Sequence, residues 1–452
     1  MSISKCLVYA QMKASFETLR FLTYGSFWAI SATLINSVFS LAAADWPEWR
    51  GPHSSNAIEE TGFPVQWSAE NNIRWKVDLP DRGNSSPIVV DGKVIITQAI
   101  EKEHRRMTLA FDRQTGKRLW QQEIIYDQKE TTHPQNPYCA ASPTTDGKRI
   151  VSTYGSAGVY AYDLDGNILW NRDLGPQVHI WGSAVSPVFH DHLCIIYHGP
   201  GPHAAIYALD KETGKTVWKY VEPEVNQKGR TDGFRGNENG NTGSFSTPLP
   251  VAYQDREALI MTFPNNMVAF DPANGEKIWW ASGMNPLVYT SAIVGDGMAV
   301  GMGGYKGSTI GVQLGGKGEV TRSHRLWQNV GKGNNIGSGV IYEGHIYFLS
   351  SSGIATCQDL KTGKTIWEER ARGQGRKSSS WSTMIRSGEH LYCLNQSSEM
   401  VIMEASPSFN LIAINPLDKA MCNSTQAMSD GDIFIRTWDH LWCVSKIKIN
   451  TL

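Results

Sequence analysis

The amino-acid sequence predicts an all-β fold, an eight-bladed β-propeller closed by an N-terminal strand. Three observations carry that expectation: a turn followed by a tryptophan that returns along the chain, a strand–turn–strand signal ahead of each copy, and a composition with 43 glycines and 16 tryptophans. High counts of both suit many tight turns and a recurring aromatic packing position, not long helices. At 452 residues the chain exceeds one ordinary core, so it is either several domains or one closed repeat.

The turn repeat reads Ala110-Phe111-Asp112 with Thr115-Gly116 and Trp120, then Ala208-Leu209-Asp210 with Thr213-Gly214 and Trp218, then Ala269-Phe270-Asp271 with Asn274-Gly275 and Trp279. Two further copies are Asp163, Gly166 and Trp170, one residue shorter, and Asp359, Thr362-Gly363 and Trp367. In each, the Asp can accept backbone N–H groups and the Gly supplies a positive φ. The Trp follows on the next strand, where its ring can pack on the adjacent blade and its N–H can reach a backbone acceptor.

The second signal starts at Ser86, Ser142, Ser186, Thr247, Ser291, Ser338, Ser382 and Thr425. Eight units result, mostly about 45 residues apart, the period of a four-stranded blade. The fifth unit reaches Trp327 without the turn, and the seventh carries Leu411-Ile412-Ala413-Ile414 instead. The eighth stops after Leu441-Trp442-Cys443-Val444, one strand short. The run from Ile73 to Leu79 matches the outer strands around Trp120 and Trp170 and can supply that strand, leaving no open edge between the termini. Residues 73–447 are therefore expected to form one domain; merger of the last two units would give seven blades.

Ahead of it, Lys5, Lys13 and Arg20 precede an apolar run from Phe21 to Leu41, then Ala42-Ala43-Ala44 and Asp45. This reads as an export signal over 1–44 cleaved before Asp45, or as an uncleaved membrane tether through 21–41. Either places the propeller outside the cytoplasm, with 45–72 as an N-terminal extension. The cysteines from Cys139 on include no C-x-x-C pair and no metal spacing, and buried free thiols are expected over disulfides. With 19% charged residues and a net charge of −1, there is no basic field for nucleic acid.

The repeats between about Ile73 and Val444 resemble the pyrroloquinoline-quinone-like propeller superfamily, whose tryptophan-docking motif reads A-x-D-x-x-T-G-x-x-x-W. Trp46-Pro47-Glu48-Trp49-Arg50-Gly51-Pro52 looks like the mature start of an exported group within it. The resemblance implies the fold but not one activity, because the superfamily holds quinoprotein dehydrogenases as well as the propeller lipoprotein of the outer-membrane barrel-assembly machinery.

Candidate ligand residues cluster in two insertions between successive blades, Ile124 to Cys139 and Glu222 to Phe245. The first offers His133, Asn136 and Tyr138, the second Arg230, Arg235 and Asn241, and His179 and Trp181 enter the third blade on the same face. A concave mouth with polar groups and rings is the default ligand site. Trp181 or Trp381 could be the flat floor for a quinone. Yet the adjacent cysteines common in such dehydrogenases are missing, as is C-x-x-C-H for haem. His190-Asp191-His192 reads as a solvated turn, His198 and His203 as loop histidines around Gly199-Pro200-Gly201-Pro202, and Gly301-Met302-Gly303-Gly304 as a wide turn. No metal site and no catalytic residue is expected, and neither G-x-S-x-G nor H-E-x-x-H occurs.

The functional expectation is a non-catalytic exported propeller that binds a protein, peptide or glycan through the insertion-bearing face, without a cofactor. The alternative is an oxidoreductase that uses pyrroloquinoline quinone (PQQ) with calcium on alcohols or sugars. A third reading, a membrane-tethered assembly factor, depends on whether 21–41 stays attached.

Overall fold

The computed structural model describes residues 45–234 and 241–446, so the apolar segment before Asp45 and Arg235 lie outside the described residues. Alternating inward and outward side chains divide the chain into eight antiparallel blades, each starting with an inner strand and ending with an outer one. Blade 1 consists of Ile88–Val90, Lys93–Ile100, Arg105–Asp112 and Arg118–Ile125. Blades 2 to 7 begin at Thr144–Thr145, Val188–His190, Leu249–Tyr253, Ile293–Gly295, Val340–Tyr342 and Ile385–Ser387. Blade 8 has Ala427–Ser429, Asp432–Arg436 and His440–Ser445, and takes Ile73–Asp78 as its outer strand, with Trp75 opposite Cys443. The fold is thus an eight-bladed propeller closed by an N-terminal strand, and the seventh and eighth units are separate blades.

Each repeat turn works on two blades at once. Asp112 accepts the backbone N–H groups of Gln114 and Thr115, which leaves Gly116 at φ 71°. Trp75 of the preceding blade lies flat on that glycine, where a Cβ would meet the ring at 2.8 Å, and its N–H donates to the Arg113 carbonyl at 2.8 Å. The same docking recurs from Trp120 to Leu164, Trp170 to Lys211, Trp218 to Pro272 and Trp327 to Leu360, whereas on blade 7, which also lacks the glycine turn, Trp367 donates to the Ser406 carbonyl and meets Phe409 edge-on. Blade 5 lacks the turn, and Trp279 instead donates to the Tyr253 hydroxyl on its own blade at 2.9 Å.

A second circuit runs around the channel. The backbone N–H of each residue in the series donates to the side-chain hydroxyl of the next: Ser86 to Ser142, Ser142 to Ser186, Ser186 to Thr247 and Thr247 to Ser291, at 2.8–3.2 Å. At the next step Ser338 Oγ donates to the Ser291 carbonyl instead. The circuit then passes from Ser338 to Thr383, to Thr425 and back to Ser86. These are the unit starts read from the sequence, with one correction: in the seventh unit the hydroxyl belongs to Thr383, because Ser382 Oγ turns back to the Thr383 carbonyl.

The seam between blades 8 and 1 carries two buried arginines. Arg436 donates to Ser85 Oγ, the Thr97 carbonyl and Gln98 Oε1, at 2.6, 2.7 and 2.6 Å. Arg113 reaches Ser429 and Asp432. All six cysteines from Cys139 on are buried and unpaired.

The N-terminal extension crosses the end of the channel opposite the insertions. Trp46 bridges Val89 of blade 1, and the Pro47 carbonyl accepts the Thr145 N–H of blade 2. Arg50 then donates to the Ala292 carbonyl of blade 5 and Asn56 to the Gly339 carbonyl of blade 6, both at 2.8 Å. Finally Ala57–Ile58 pairs in parallel with the inner strand of blade 7. The channel is blind.

Candidate functional site

Two tiers of side chains line the channel where the insertions sit, enclosing about 450 Å³. One tier is the hydroxyl circuit, represented by Ser86, Ser142, Ser186, Thr247, Ser291 and Thr425. The other stands two residues earlier in every blade, so strand alternation turns it to the same side. It reads Asn84, Ala140, Ala184, Phe245, Tyr289, Ile336, Trp381 and Asn423 from blade 1 to blade 8. Large side chains occupy blades 4 to 7, and small or amide ones the remaining half.

The first insertion folds into the room left by the small half. The Gln135 carbonyl accepts from Asn84 and Asn423 at 2.8 and 3.0 Å, and Asn136 Nδ2 donates to the Trp181 carbonyl at 2.8 Å. This fixes the His133 ring 4.9 Å from Trp181 and 6.4 Å from Trp381, centroid to centroid. Desolvation holds the His133 imidazole below its ordinary pKa, which favours the neutral ring at pH 7. On the opposite wall Phe245 and Tyr289 stack at 5.9 Å and 4°. Gly304 makes room for that pair, since a Cβ there would meet the Tyr289 ring at 2.1 Å.

Trp49 is the floor. It is held between two buried charged residues: Glu48 accepts from Ser54 Oγ at 2.6 Å, and Arg50 donates to Asn56 Oδ1 at 2.5 Å. Burial raises the Glu48 carboxyl from 4.5 to about 7, opposed by the Ser54 hydrogen bond and the Arg50 charge. Because its folded-state pKa lies above the unfolded value, the stability it contributes is complete below pH 4.5 and is lost as pH rises through about 7. In denaturant titrations, Glu48→Gln is therefore expected to gain on the wild type between pH 5 and pH 8, by up to about 3 kcal/mol at 1.36 kcal/mol per unit. A difference independent of pH would show that Glu48 ionises normally.

Of the nine residues picked from the sequence, His133, Asn136, Trp181 and Trp381 line the cavity. Four described ones serve the loops. Tyr138 donates to the Glu130 carbonyl and lies under Arg106, and Arg230 pairs with Asp232 and reaches the Asn241 carbonyl. Asn241 is buried, and His179 accepts from the Trp181 N–H and meets the edge of Phe245. Arg235 lies outside the described residues. The large side chains of the lining missing from the sequence-based set were Trp49, Phe234, Phe245, Tyr289, Tyr305 and Ile336. Counting back two from each unit start would have found three of them.

Among the described residues the lining contains no Lys, Arg, Asp or Glu. Pyrroloquinoline quinone is an anionic carboxylate, and a hard divalent cation takes oxygen ligands, carboxylates above all. The described lining offers neither countercharge nor carboxylate, so it does not fit that pair. His190, Asp191 and Glu257 do come together, with His190 Nε2 3.1 Å from Glu257 Oε2, but both carboxylates are exposed and the group sits in the turn at the other end of the channel. It reads as a polar contact between blades 3 and 4.

Fold and repeat chemistry together define a propeller of the pyrroloquinoline-quinone-like class. The chain belongs to the family described as outer membrane protein assembly factor BamB, which matches residues 60–138, 105–286 and 246–448. Among solved structures, BamB from Moraxella catarrhalis is similar at 13% identity and a TM-score of 0.56, over 84% of this chain and 98% of that one. The quinohemoprotein alcohol dehydrogenase from Comamonas testosteroni is similar at 12% identity and a TM-score of 0.63, over 90% and 82%. Such identities show the fold alone. No curated protein matches the chain.

Proposed function

We propose that this protein is an exported, non-catalytic propeller that binds a component of the cell envelope at the insertion-bearing mouth of its channel. The observation that carries the reading is the cavity itself: closed at one end, ringed by aromatic side chains and, among the described residues, free of formal charge. Such a site can hold a ligand by stacking and hydrogen bonding, while His133, the one histidine of the described lining, has no carboxylate beside it there to act as an acid–base partner. Membership of a family described as an outer membrane assembly factor supports the envelope as the place of action.

A photoreactive amino acid placed in the full chain in cells tests which face binds. Position 305, at the mouth, is expected to form adducts. Position 148, exposed in a turn at the opposite end, is expected to form none. Adducts from 148 alone would overturn the reading.

A further inference from the structure

We infer that the cavity takes the end of a neutral saccharide chain, a step that rests on the binding role proposed above. The hydroxyl circuit sets the first requirement. Ser86, Ser142, Ser186, Thr247, Ser291 and Thr425 each spend a lone pair on a backbone N–H from the neighbouring blade. Among the described residues none of these six has an acceptor for its own proton, so the cavity is collared by hydrogen-bond donors. Ligands rich in neutral oxygen atoms match such a collar.

The aromatic side chains of the lining add the second requirement. Trp49, Trp181, Trp381, Phe245 and Tyr289 are half-buried and present ring surface to the cavity. An aromatic face is electronegative, and the C–H faces of a sugar ring carry the partial positive charge that rests against it. Phosphate or carboxylate ligands would find no described countercharge here. An extended peptide would need free backbone groups to pair with, but the N–H groups of the circuit are already bonded to hydroxyls. The volume of about 450 Å³ suits one small ligand, and the floor prevents a chain from threading through.

Calorimetry on the full chain tests this with chitotriose, cellotriose and maltotriose as neutral probes, trigalacturonate as the anionic control and an uncharged tetrapeptide as the peptide control. At least one neutral trisaccharide is expected to bind, with an affinity unchanged between about 0.05 M and about 1 M salt. Trigalacturonate is expected to bind at least about 100-fold more weakly, and Trp381→Ala and Trp181→Ala each to weaken binding about 10-fold. Both variants are checked for wild-type melting, and quenching of tryptophan fluorescence by the sugar gives an independent reading on the unaltered protein. The inference is overturned if no neutral trisaccharide binds, if trigalacturonate binds as tightly, or if both folded variants bind normally. Peptide binding that is lost in the same variants would refute the saccharide while leaving the binding role standing, whereas adducts only at position 148 would remove both.

Discussion

Replacing Arg436 by alanine is expected to destabilise the protein by about 3–5 kcal/mol, among the largest effects of any single substitution. The guanidinium is fully buried at the seam where the ring closes, and burial lowers its pKa from 12.5 to about 10, so it is still charged at neutral pH. Its hydrogen-bond partners are neutral: a hydroxyl, a carbonyl and an amide oxygen, all contributed by blade 1 or the segment leading into it. Truncation leaves Gln98 Oε1 without its described donor, while Ser85 Oγ and the Thr97 carbonyl keep their bond to each other, and it opens a buried space beside the chain at Gly83. A Cβ on Gly83 would stand 1.7 Å from Arg436 Nη2, so Gly83→Ala is expected to be costly in the wild type and nearly neutral in Arg436→Ala. Equilibrium denaturation of the four proteins in the cycle measures this. Additive losses would mean that Arg436 does not occupy the place described.

The second large effect is expected at the floor. Trp46 is 1% exposed, exchanges two backbone hydrogen bonds with Val89, and lies against Gly51, where a Cβ would meet its ring at 2.7 Å. Trp46→Ala should cost about 3–5 kcal/mol, as for a buried aromatic ring whose cavity stays open. The loss should be local as well: amide exchange is expected to rise over residues 47–58 while the outer strands keep their protection. A cost below about 1 kcal/mol, or exchange rising evenly through the blades, would show that the extension does not seal the channel.

The parts of this molecule that were readable from sequence are those whose physics is local. Asp112, Gly116 and their equivalents sit within a few residues of one another, and one geometric requirement repeats at each turn, so period and blade count followed. The strand Ile73–Asp78 was recognisable because it must satisfy the same packing as the outer strands it resembles. The hydroxyl circuit was visible only as a set of unit starts, since its bonds join residues 42 to 61 positions apart and, where the ring closes, 339. In Ser379-Ser380-Trp381-Ser382-Thr383, hydroxyls on adjacent residues made the register ambiguous by one.

Candidate ligand residues were harder for a physical reason. Polar side chains in a long loop look alike whether they face a ligand or satisfy the loop's own backbone, and Tyr138 and Arg230 do the latter. Glu48 and Arg50 carry charges that composition would assign to the surface, yet both are buried beside the floor tryptophan. Nothing repeats around Trp49, so only the path of the chain across the channel brings it to the site.

The central claim, that the channel mouth binds without catalysing, is tested most directly by titrating the protein with pyrroloquinoline quinone and calcium in a calorimeter, followed by dye reduction with alcohols and sugars. The account predicts no heat beyond dilution and no substrate-dependent reduction, because the described lining supplies neither countercharge for the quinone carboxylates nor a carboxylate for the cation. Saturable, calcium-dependent binding with dye reduction driven by an alcohol or a sugar would contradict it.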